Sequence, residues 1–286
     1  MLVGAIDRCL SLLEELAGAP DGVPLGDLAE RLAAPKSAVH RMLATLGARG
    51  YVVQDQATQA YMLSLRLAVL GFRYLDAHRL PDAAQTVLDR LATETREYCR
   101  LALVEGEGLV WIARAQGAIQ GLRYDPDMSH DVVLHATATG KAWLATLPEG
   151  EALRIVCARG FDTPPGFGKR VVRDVDALRV QLAETRRRGH AVAIEEGEPG
   201  TAALAVVFRA WDAADAPVVG TVSVAGPLMR FDPKGRARMV DPLLKAARDL
   251  SALWPLRQRQ VRMSRDRREL ALRAMPAPIS LGADGS

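Results

Sequence analysis

A segment near the N-terminus, PKSAVHRMLATLGAR at residues 35–49, combines hydrogen-bonding side chains with the spacing of an amphipathic helix. Its apolar residues recur every three or four positions, which predicts one buried stripe on an otherwise polar helix. The polar positions carry groups that can donate to phosphate oxygens or to base edges. The candidate contact residues are Lys36, Ser37, Ala38, His40, Arg41 and Thr45.

A second short amphipathic helix precedes this segment, with apolar residues at Leu25, Leu28, Ala29 and Leu32. Only Ala33 and Ala34 separate it from Pro35, which suits a first helical position because its missing N–H is not needed there. Two short helices joined by a tight turn form a helix-turn-helix, whose second helix enters the DNA major groove. We therefore expect residues 35–49 to contact double-stranded operator DNA.

The distribution of charge supports this interpretation, although a net charge of +3 is too small to indicate nucleic-acid binding. Residues 1–79 hold eight basic and eight acidic side chains, whereas residues 35–49 hold three basic side chains and no acid. A second basic region, residues 257–273, has seven arginines against two acids. It either adds nonspecific DNA affinity or a partner surface, or is a solvated extension of the last helix.

The neighbouring elements complete a winged helix-turn-helix. Residues 6–17 predict a first helix, and residues 51–53 and 61–63 predict the two short strands of a wing. Gly50 stands where a left-handed helix cap is needed. The next helix, from Leu65, is apolar on more than one side, which favours a dimer contact. The alternative is a linker that packs only on its own domain.

From residue 82 the pattern changes to an α+β domain with the dimensions of a small-molecule sensor. Helices are predicted around 84–91, 134–144, 149–158, 175–188 and 233–256. Strands are predicted at 99–105, 109–114, 190–194, 202–208 and 218–225, with a further candidate at 120–124. Residues 276–286 have the composition of a disordered end.

Other chemistries have weaker support. The run ATATGKA at 136–142 lacks the first glycine and the final hydroxyl residue of a phosphate loop, so no nucleotide site is predicted. His130 and His135 with Asp131 lack a third metal ligand, so we predict no metal and no cofactor. We expect no catalytic residues. The acidic run Glu195, Glu196 and Glu198 is interpreted as a solvated loop.

No run of eighteen apolar residues occurs, and the N-terminus lacks a basic region ahead of an apolar run. We therefore expect a cytoplasmic protein with neither a membrane span nor a signal peptide. Its cysteines are odd in number and far apart, which argues against disulfides and thiolate zinc sites. Cys9, Cys99 and Cys157 are expected to be buried small hydrophobes.

Four segments resemble the isocitrate lyase regulator (IclR) family of bacterial transcription factors. They are LAERLAAPKSAVHRMLATLGARGYV, YMLSLRLAVLG, LHATATGKAWLA at 134–145, and the distal pair RRRGHAVAIEE and GTVSVAGP. The resemblance covers residues 3–256 and implies a winged helix that binds operator DNA, followed by a GAF-like domain that binds a small organic or aromatic acid. It also implies dimers or dimers of dimers. Family members often have glycine where this chain has Ala33 and Ala34.

The resemblance also implies effector-binding positions. In members that bind small polar acids, the pocket uses the segment matching Ala138 and Thr139, an Asp matching Ala193, a Cys matching Ala203, and two Ser matching Ser223 and Ala225. Three polar groups are therefore alanine here, which favours a larger, more apolar or aromatic effector. Thr139 and Ser223 remain as polar anchors, and Tyr124, Val132 and Thr201 are placed on the wall.

These observations predict a winged helix-turn-helix over 1–64, a linker and dimerisation helix over 65–80, a GAF-like α/β effector-binding domain over 81–256, and a basic, partly disordered tail over 257–286. The predicted function is a ligand-responsive regulator that binds a pseudo-palindromic operator as a dimer or dimer of dimers. Whether it represses or activates stays open. The alternative is a metabolite-binding protein or enzyme whose winged module serves protein contacts.

Overall fold

A computed structural model describes residues 4–78, 81–126 and 131–273, without the side chains of residues 75–83 and 255–273. The chain divides into two compact units, one ending at Ala77 and the other beginning at His78. The division falls inside the segment predicted as a linker. Each unit has its own hydrophobic core.

The N-terminal unit contains the predicted three helices and wing. Its elements are α1 (Gly4–Ala17), α2 (Leu25–Arg31), α3 (Lys36–Ala48), β1 (Val52–Gln54), β2 (Tyr61–Leu63) and α4 (Arg66–His78). Pro35 is the residue before the first turn of α3, with φ −58° and ψ 136°, rather than the first helical residue. Gly50 follows α3 with φ +73°, as the left-handed cap requires.

The core of this unit joins all three helices to the wing. Leu12, Leu28, Val39, Leu43 and Val52 are buried together, one or two from each element. β1 and β2 pair antiparallel, and an isolated bridge joins Val23, two residues before α2, to Tyr61 of β2. The apolar stripe of α3 therefore faces inward and its polar residues face outward.

The turn between α2 and α3 holds a non-glycine residue in the left-handed region. Ala33 has φ +45°. Its backbone N–H donates to the Glu30 carbonyl, and the N–H of Ala34 donates to the Ala29 carbonyl, each at 3.0 Å. These two bonds satisfy carbonyls at the end of α2 and hold Ala33 in a conformation that glycine adopts without steric cost.

The C-terminal unit is built on one five-stranded antiparallel sheet in the order β4-β3-β7-β6-β5. Its strands are β3 (Tyr98–Glu105), β4 (Gly108–Gln116), β5 (Ala191–Ile194), β6 (Thr201–Arg209) and β7 (Val218–Pro227). Its helices are α5 (Pro81–Thr95), α6 (Ala138–Leu144), α7 (Glu149–Arg159), α8 (Val175–Arg188) and α9 (Pro233–Arg273). A single 3-10 turn, Leu228–Arg230, links β7 to α9. The α+β prediction is confirmed.

Strand alternation divides this sheet into two buried faces. Leu101, Leu204, Val222 and Val224 point to one face, where α5 and α9 pack. On the other face, small residues such as Ala193 and Ala205 pack against α6, and α8 lies beside α6. The sheet therefore separates a densely packed aliphatic layer from a layer built of small side chains.

Three expectations differ from the structure. Residues 120–124 form no strand, because the Gln116 side chain and Arg230 take up the carbonyls of Tyr124 and Leu122. Helix α9 continues to Arg273, well past residue 256, and so includes the basic region. Of the three cysteines expected to be buried, only Cys99 is; Cys157 is exposed and Cys9 is partly exposed. Residues 276–286, expected to be disordered, lie outside the described residues.

We expect Ala33→Gly to stabilise the N-terminal unit by about 1 kcal/mol, because the left-handed conformation costs a residue with a Cβ roughly 1–2 kcal/mol. Hydrogen exchange of buried α2 and α3 amides in the full chain measures this as a slowing of about fivefold. Ala34→Gly, at a neighbouring position without positive φ, should speed exchange. Equal effects of the two substitutions would contradict the account.

Candidate functional site

The outward face of α3 is free for a ligand. Lys36, Ser37, His40, Arg41 and Thr45 are exposed, and Ala38 is half-buried. The Thr45 hydroxyl donates to the Arg41 carbonyl at 2.9 Å. Within the part of the chain that the structure describes, neither Lys36 nor Arg41 forms an ion pair. The ion pair nearest to them in sequence joins Arg31 of α2 to Glu15 of α1. This face is therefore polar and uncompensated in charge.

The wing beside it differs in charge. Its loop, residues 55–60, contains no basic residue. The Asp55 carboxylate accepts hydrogen bonds from the backbone N–H groups of Thr58 and Ala57 and from the Thr58 hydroxyl, and these bonds lower its pKa. The hydrogen bonds of the Asp55 carboxylate thus hold the wing loop in place. The basic side chains lie on α3 and not on this loop.

In the C-terminal unit, a cavity opens between α6 and the small-residue face of the sheet. Its outer section has a volume of about 380 Å³ and its inner section about 40 Å³. Eight of the nine predicted effector residues line the inner section: Tyr124, Ala138, Thr139, Ala193, Thr201, Ala203, Ser223 and Ala225. Val132, the ninth, lines the outer section, where Tyr124 also lies.

Strand register places the floor of this cavity. Ala225 lies opposite Ala203, which lies opposite Ala193, so these alanines form one row across three strands. One pair further along, Ser223 lies opposite Arg100 of β3. Because directly opposed residues of antiparallel strands share a face, Ser223 and Arg100 lie on the same face of the sheet as the alanine row.

Helix α6 forms the facing wall, and its sequence explains its position. The Thr137 hydroxyl oxygen accepts from the Gly140 N–H at 3.0 Å and caps the helix. A Cβ on Gly140 would lie 2.2 Å from the Leu134 carbonyl oxygen, so only glycine allows this close approach. The motif LHATATGKAWLA therefore folds the segment back on itself and presents Ala138 and Thr139 to the cavity.

A buried ion pair fixes this wall to the rest of the unit. Lys141 is fully buried, and its Nζ lies 2.7 and 2.8 Å from the two carboxylate oxygens of Glu196. The ammonium also donates to Gln181 Oε1 at 2.5 Å and to the Val192 carbonyl at 2.8 Å. Burial lowers the pKa of Lys141 and raises that of Glu196. Glu196 is therefore an internal partner, not part of a solvated loop as expected.

The neighbouring loop, residues 195–200, lines the outer section of the cavity. Glu198 accepts a hydrogen bond from the Tyr124 hydroxyl at 3.2 Å. Burial raises the pKa of Tyr124, which keeps its hydroxyl protonated as the donor. A Cβ on Gly168 would lie 1.8 Å from the Glu195 carbonyl oxygen, so the loop packs directly on the chain before α8. Tyr124 thus contacts both the cavity and its rim.

Sequence reasoning missed several cavity residues, of which Arg100 is the most prominent. It lines both sections and lies in the strand YCRLALVE, otherwise apolar up to its last residue. A charged residue inside such a strand is a signal that could have identified it. Trp111 and Phe167 add aromatic surface to the outer section, and Asp131 and Glu198 add carboxylates.

His135 belongs to the packing of this wall. It is buried, its ring lies 5.2 Å from that of Phe161, and burial lowers its pKa. Its Nε2 has no hydrogen-bond partner among the described residues. Within those residues no three His, Cys, Asp or Glu side chains cluster as a metal site would require, and His130 lies outside them.

Comparison with known proteins agrees with both halves of the structure. The model of the IclR helix-turn-helix domain matches residues 5–56, and that of the bacterial transcriptional regulator IclR C-terminal domain matches residues 72–252. This chain belongs to the IclR family. It is therefore a transcription regulator with a helix-turn-helix DNA-binding domain, and the resemblance found in the sequence is confirmed.

Individual relatives cover nearly the whole regulator. The HTH-type transcriptional regulator BhcR of Paracoccus denitrificans is 30% identical over 249 residues, 87% of this chain and 86% of that protein. An IclR regulator from Alicyclobacillus acidocaldarius has a similar structure, with a TM-score of 0.74, 23% identity and coverage of 89% and 100%. An IclR homologue of Microbacterium hydrocarbonoxydans, crystallised with 4-hydroxybenzoate, has a TM-score of 0.66, 24% identity and coverage of 86% and 98%. Among the described residues, no helix is long and apolar enough to cross a membrane.

Replacing Lys141 with methionine should lower the free energy of unfolding by about 3 kcal/mol, because it leaves Glu196 buried without its partner. Urea unfolding followed by tryptophan fluorescence measures this, since all four tryptophans lie in the C-terminal unit. Lys169→Met, at an exposed position, is the control. The double variant Lys141→Met, Glu196→Met should recover part of the loss. A loss below about 1 kcal/mol for the single variant would contradict the role assigned to the pair.

Proposed function

We propose that this regulator binds a pseudo-palindromic operator as a dimer or dimer of dimers and is switched by a small apolar or aromatic acid. The observation that carries the proposal is the combination of an exposed recognition helix in one unit with a partly open cavity in the other. An effector that binds two arrangements of the dimer with different affinity shifts their populations and so changes DNA binding. Acting on operator DNA places the protein in the cytoplasm.

The polar face of α3 supports the DNA contacts. A recognition helix reads bases with its N-terminal half, and here Lys36, Ser37, His40 and Arg41 occupy that half. Arg41 has the reach for a base edge or a phosphate, and Ser37 suits a phosphate oxygen. Outside residues 35–49, the first 79 residues hold five basic and eight acidic side chains. Positive charge is therefore concentrated on α3 and directs this face to DNA.

Exposed apolar side chains on α4 support self-association. Leu65 before the helix and Val69 and Phe72 within it recur at helical spacing, and Phe72 is 66% exposed. Large exposed apolar side chains in a row are typical of protein interfaces. A dimer formed through α4 would set the distance between two recognition helices.

The cavity supports an effector larger and less polar than glyoxylate or pyruvate. The floor carries alanine at the three positions where polar side chains were expected from the family, and Trp111 and Phe167 line the outer section. The Microbacterium homologue was crystallised with an aromatic acid, 4-hydroxybenzoate. Titration calorimetry should show tighter binding of aromatic acids; tight binding of glyoxylate or pyruvate alone would contradict this.

The competing function is an enzyme or metabolite-binding protein in which the winged unit contacts another protein. DNase footprinting of the full chain on DNA flanking its own gene separates the two. Protection of a pseudo-palindromic site favours the regulator. No protection, together with catalysis that survives removal of residues 1–79, favours the alternative.

Arg41→Ala should weaken operator binding by about 1–3 kcal/mol, because it removes one base or phosphate contact in each recognition helix. Fluorescence anisotropy with the footprinted DNA, measured at several salt concentrations, gives the loss and tells a phosphate contact from a base contact by the change in salt slope. The matched control is Arg8→Ala, an exposed arginine on α1. An Arg41→Ala variant that binds as tightly as the control would exclude Arg41 from the interface.

Phe72→Glu should dissociate the dimer and reduce operator affinity by about tenfold or more, because a charge would be buried between two α4 helices. Sedimentation velocity reports the assembly state. Phe72→Leu keeps an apolar side chain and should leave both properties nearly unchanged. If Phe72→Glu has the assembly state of the unsubstituted chain, α4 is not the dimer contact.

A further inference from the structure

The Arg100 guanidinium lies on the cavity floor. Arg100 is on β3, directly opposite Ser223 of β7, and lines both the inner and the outer section. It therefore stands where the sections meet, next to one of the two hydroxyl groups expected to anchor the effector. A ligand that occupies both sections passes this side chain.

Aromatic rings orient this guanidinium, and the Glu198 carboxylate acts on it only at a distance, without a hydrogen bond or an ion pair. Its Cζ lies 3.9 Å from the ring centre of Trp111 and 5.7 Å from that of Tyr98. Among the described residues, Arg100 has no ion-pair partner, and its buried Nε has no hydrogen-bond acceptor. Stacking on an aromatic face occupies the plane of a guanidinium and leaves its N–H edge available to an acceptor.

A second arginine increases the positive charge at this point. Arg114 of β4 lies directly opposite Arg100 in the β3–β4 pair. Like charges in directly opposed positions repel each other. Burial also lowers the pKa of Arg100, although a guanidinium stays charged in proteins. A bound anion would relieve both the repulsion and the unsatisfied Nε.

The carboxylates around the cavity limit how much negative charge can enter. Glu196 is already paired with Lys141. Asp131 and Glu198 line the outer section, and Glu198 accepts a hydrogen bond from the Tyr124 hydroxyl and interacts electrostatically with Arg100. A second negative charge on the ligand would lie near these two acids, whereas a hydroxyl group there could donate to them.

We propose that Arg100 binds the carboxylate of the effector through two N–H groups and selects ligands with one negative charge and an apolar or aromatic body. The fork of N–H groups on a guanidinium matches a carboxylate. The assignment rests on the proposed function, because it takes this cavity as the effector site. Arg100 supplies the positive charge that recognises the carboxylate of the effector. The neutral hydroxyl groups of Thr139 and Ser223 cannot supply it.

The test is calorimetric titration of the full-length chain with benzoate, phenylacetate, neutral benzamide and dianionic phthalate. Benzamide has nearly the shape of benzoate, so the pair isolates the charge. We expect at least one monocarboxylate to bind at least about tenfold more tightly than benzamide and phthalate, as loss of a charge-assisted two-point contact requires. This comparison uses the unsubstituted protein and does not depend on the folding of a variant.

Arg100→Gln should then lose at least about tenfold in affinity for the monocarboxylate and leave benzamide binding unchanged. Arg100→Lys keeps the charge without the fork and should lie between the two. Arg170→Gln removes an exposed arginine that lines neither section of the cavity and should bind as the unsubstituted chain does. Unfolding curves of each variant show whether the fold is retained.

Three results would overturn the assignment: no binding of either monocarboxylate, equal binding of benzamide or phthalate, or undiminished affinity in a folded Arg100→Gln variant. Failure of the proposed function has a different signature. A protected operator without acid binding would leave the regulator intact and exclude the role of Arg100. Acid binding that depends on Arg100, without any protected operator, would do the reverse.

Discussion

The cavity of the C-terminal unit depends on the buried ion pair of Lys141 and Glu196. This pair joins α6, the loop that follows β5, and, through Gln181 and the Val192 carbonyl, helix α8 and β5 itself. Two charges removed from water are tolerated only because the ammonium has four acceptor atoms within hydrogen-bonding distance. Since α6 and this loop are walls of the cavity, the pair sets the shape of the site.

The small residues of the domain have a second, complementary role. Gly140 allows α6 to fold closely against Leu134, and Gly168 allows the loop at 195–200 to pack on the chain before α8. The alanines of the floor then leave space where longer side chains would fill it. On the opposite face of the sheet, aliphatic residues pack against α5 and α9. Rigidity and an open site are thus assigned to different faces of one sheet.

Much of this could be predicted from the sequence. Periodicity and breakers located the three N-terminal helices, the wing and most elements of the second domain, because these are local signals. The resemblance to the family predicted that the three alanines of the floor and the hydroxyl groups of Thr139 and Ser223 lie in one site. The role of Glu196 escaped prediction because its partner is 55 residues away in the chain, and the environment of Arg100 depends on strand register. The end of α9 was missed because its highly charged sequence carries little periodic signal.

The central claim is that a ligand in this cavity controls DNA binding. Ala203→Leu tests this most directly, because the larger side chain would occupy the inner section of the cavity. The substitution leaves the sequence of the DNA-binding domain unchanged. Operator affinity is measured by anisotropy with and without the acid that the unsubstituted chain binds most tightly. The account predicts a shift of about fivefold or more in the unsubstituted regulator and none in Ala203→Leu, with equal affinity in the absence of acid. A variant that folds and still responds fully to the acid would contradict it.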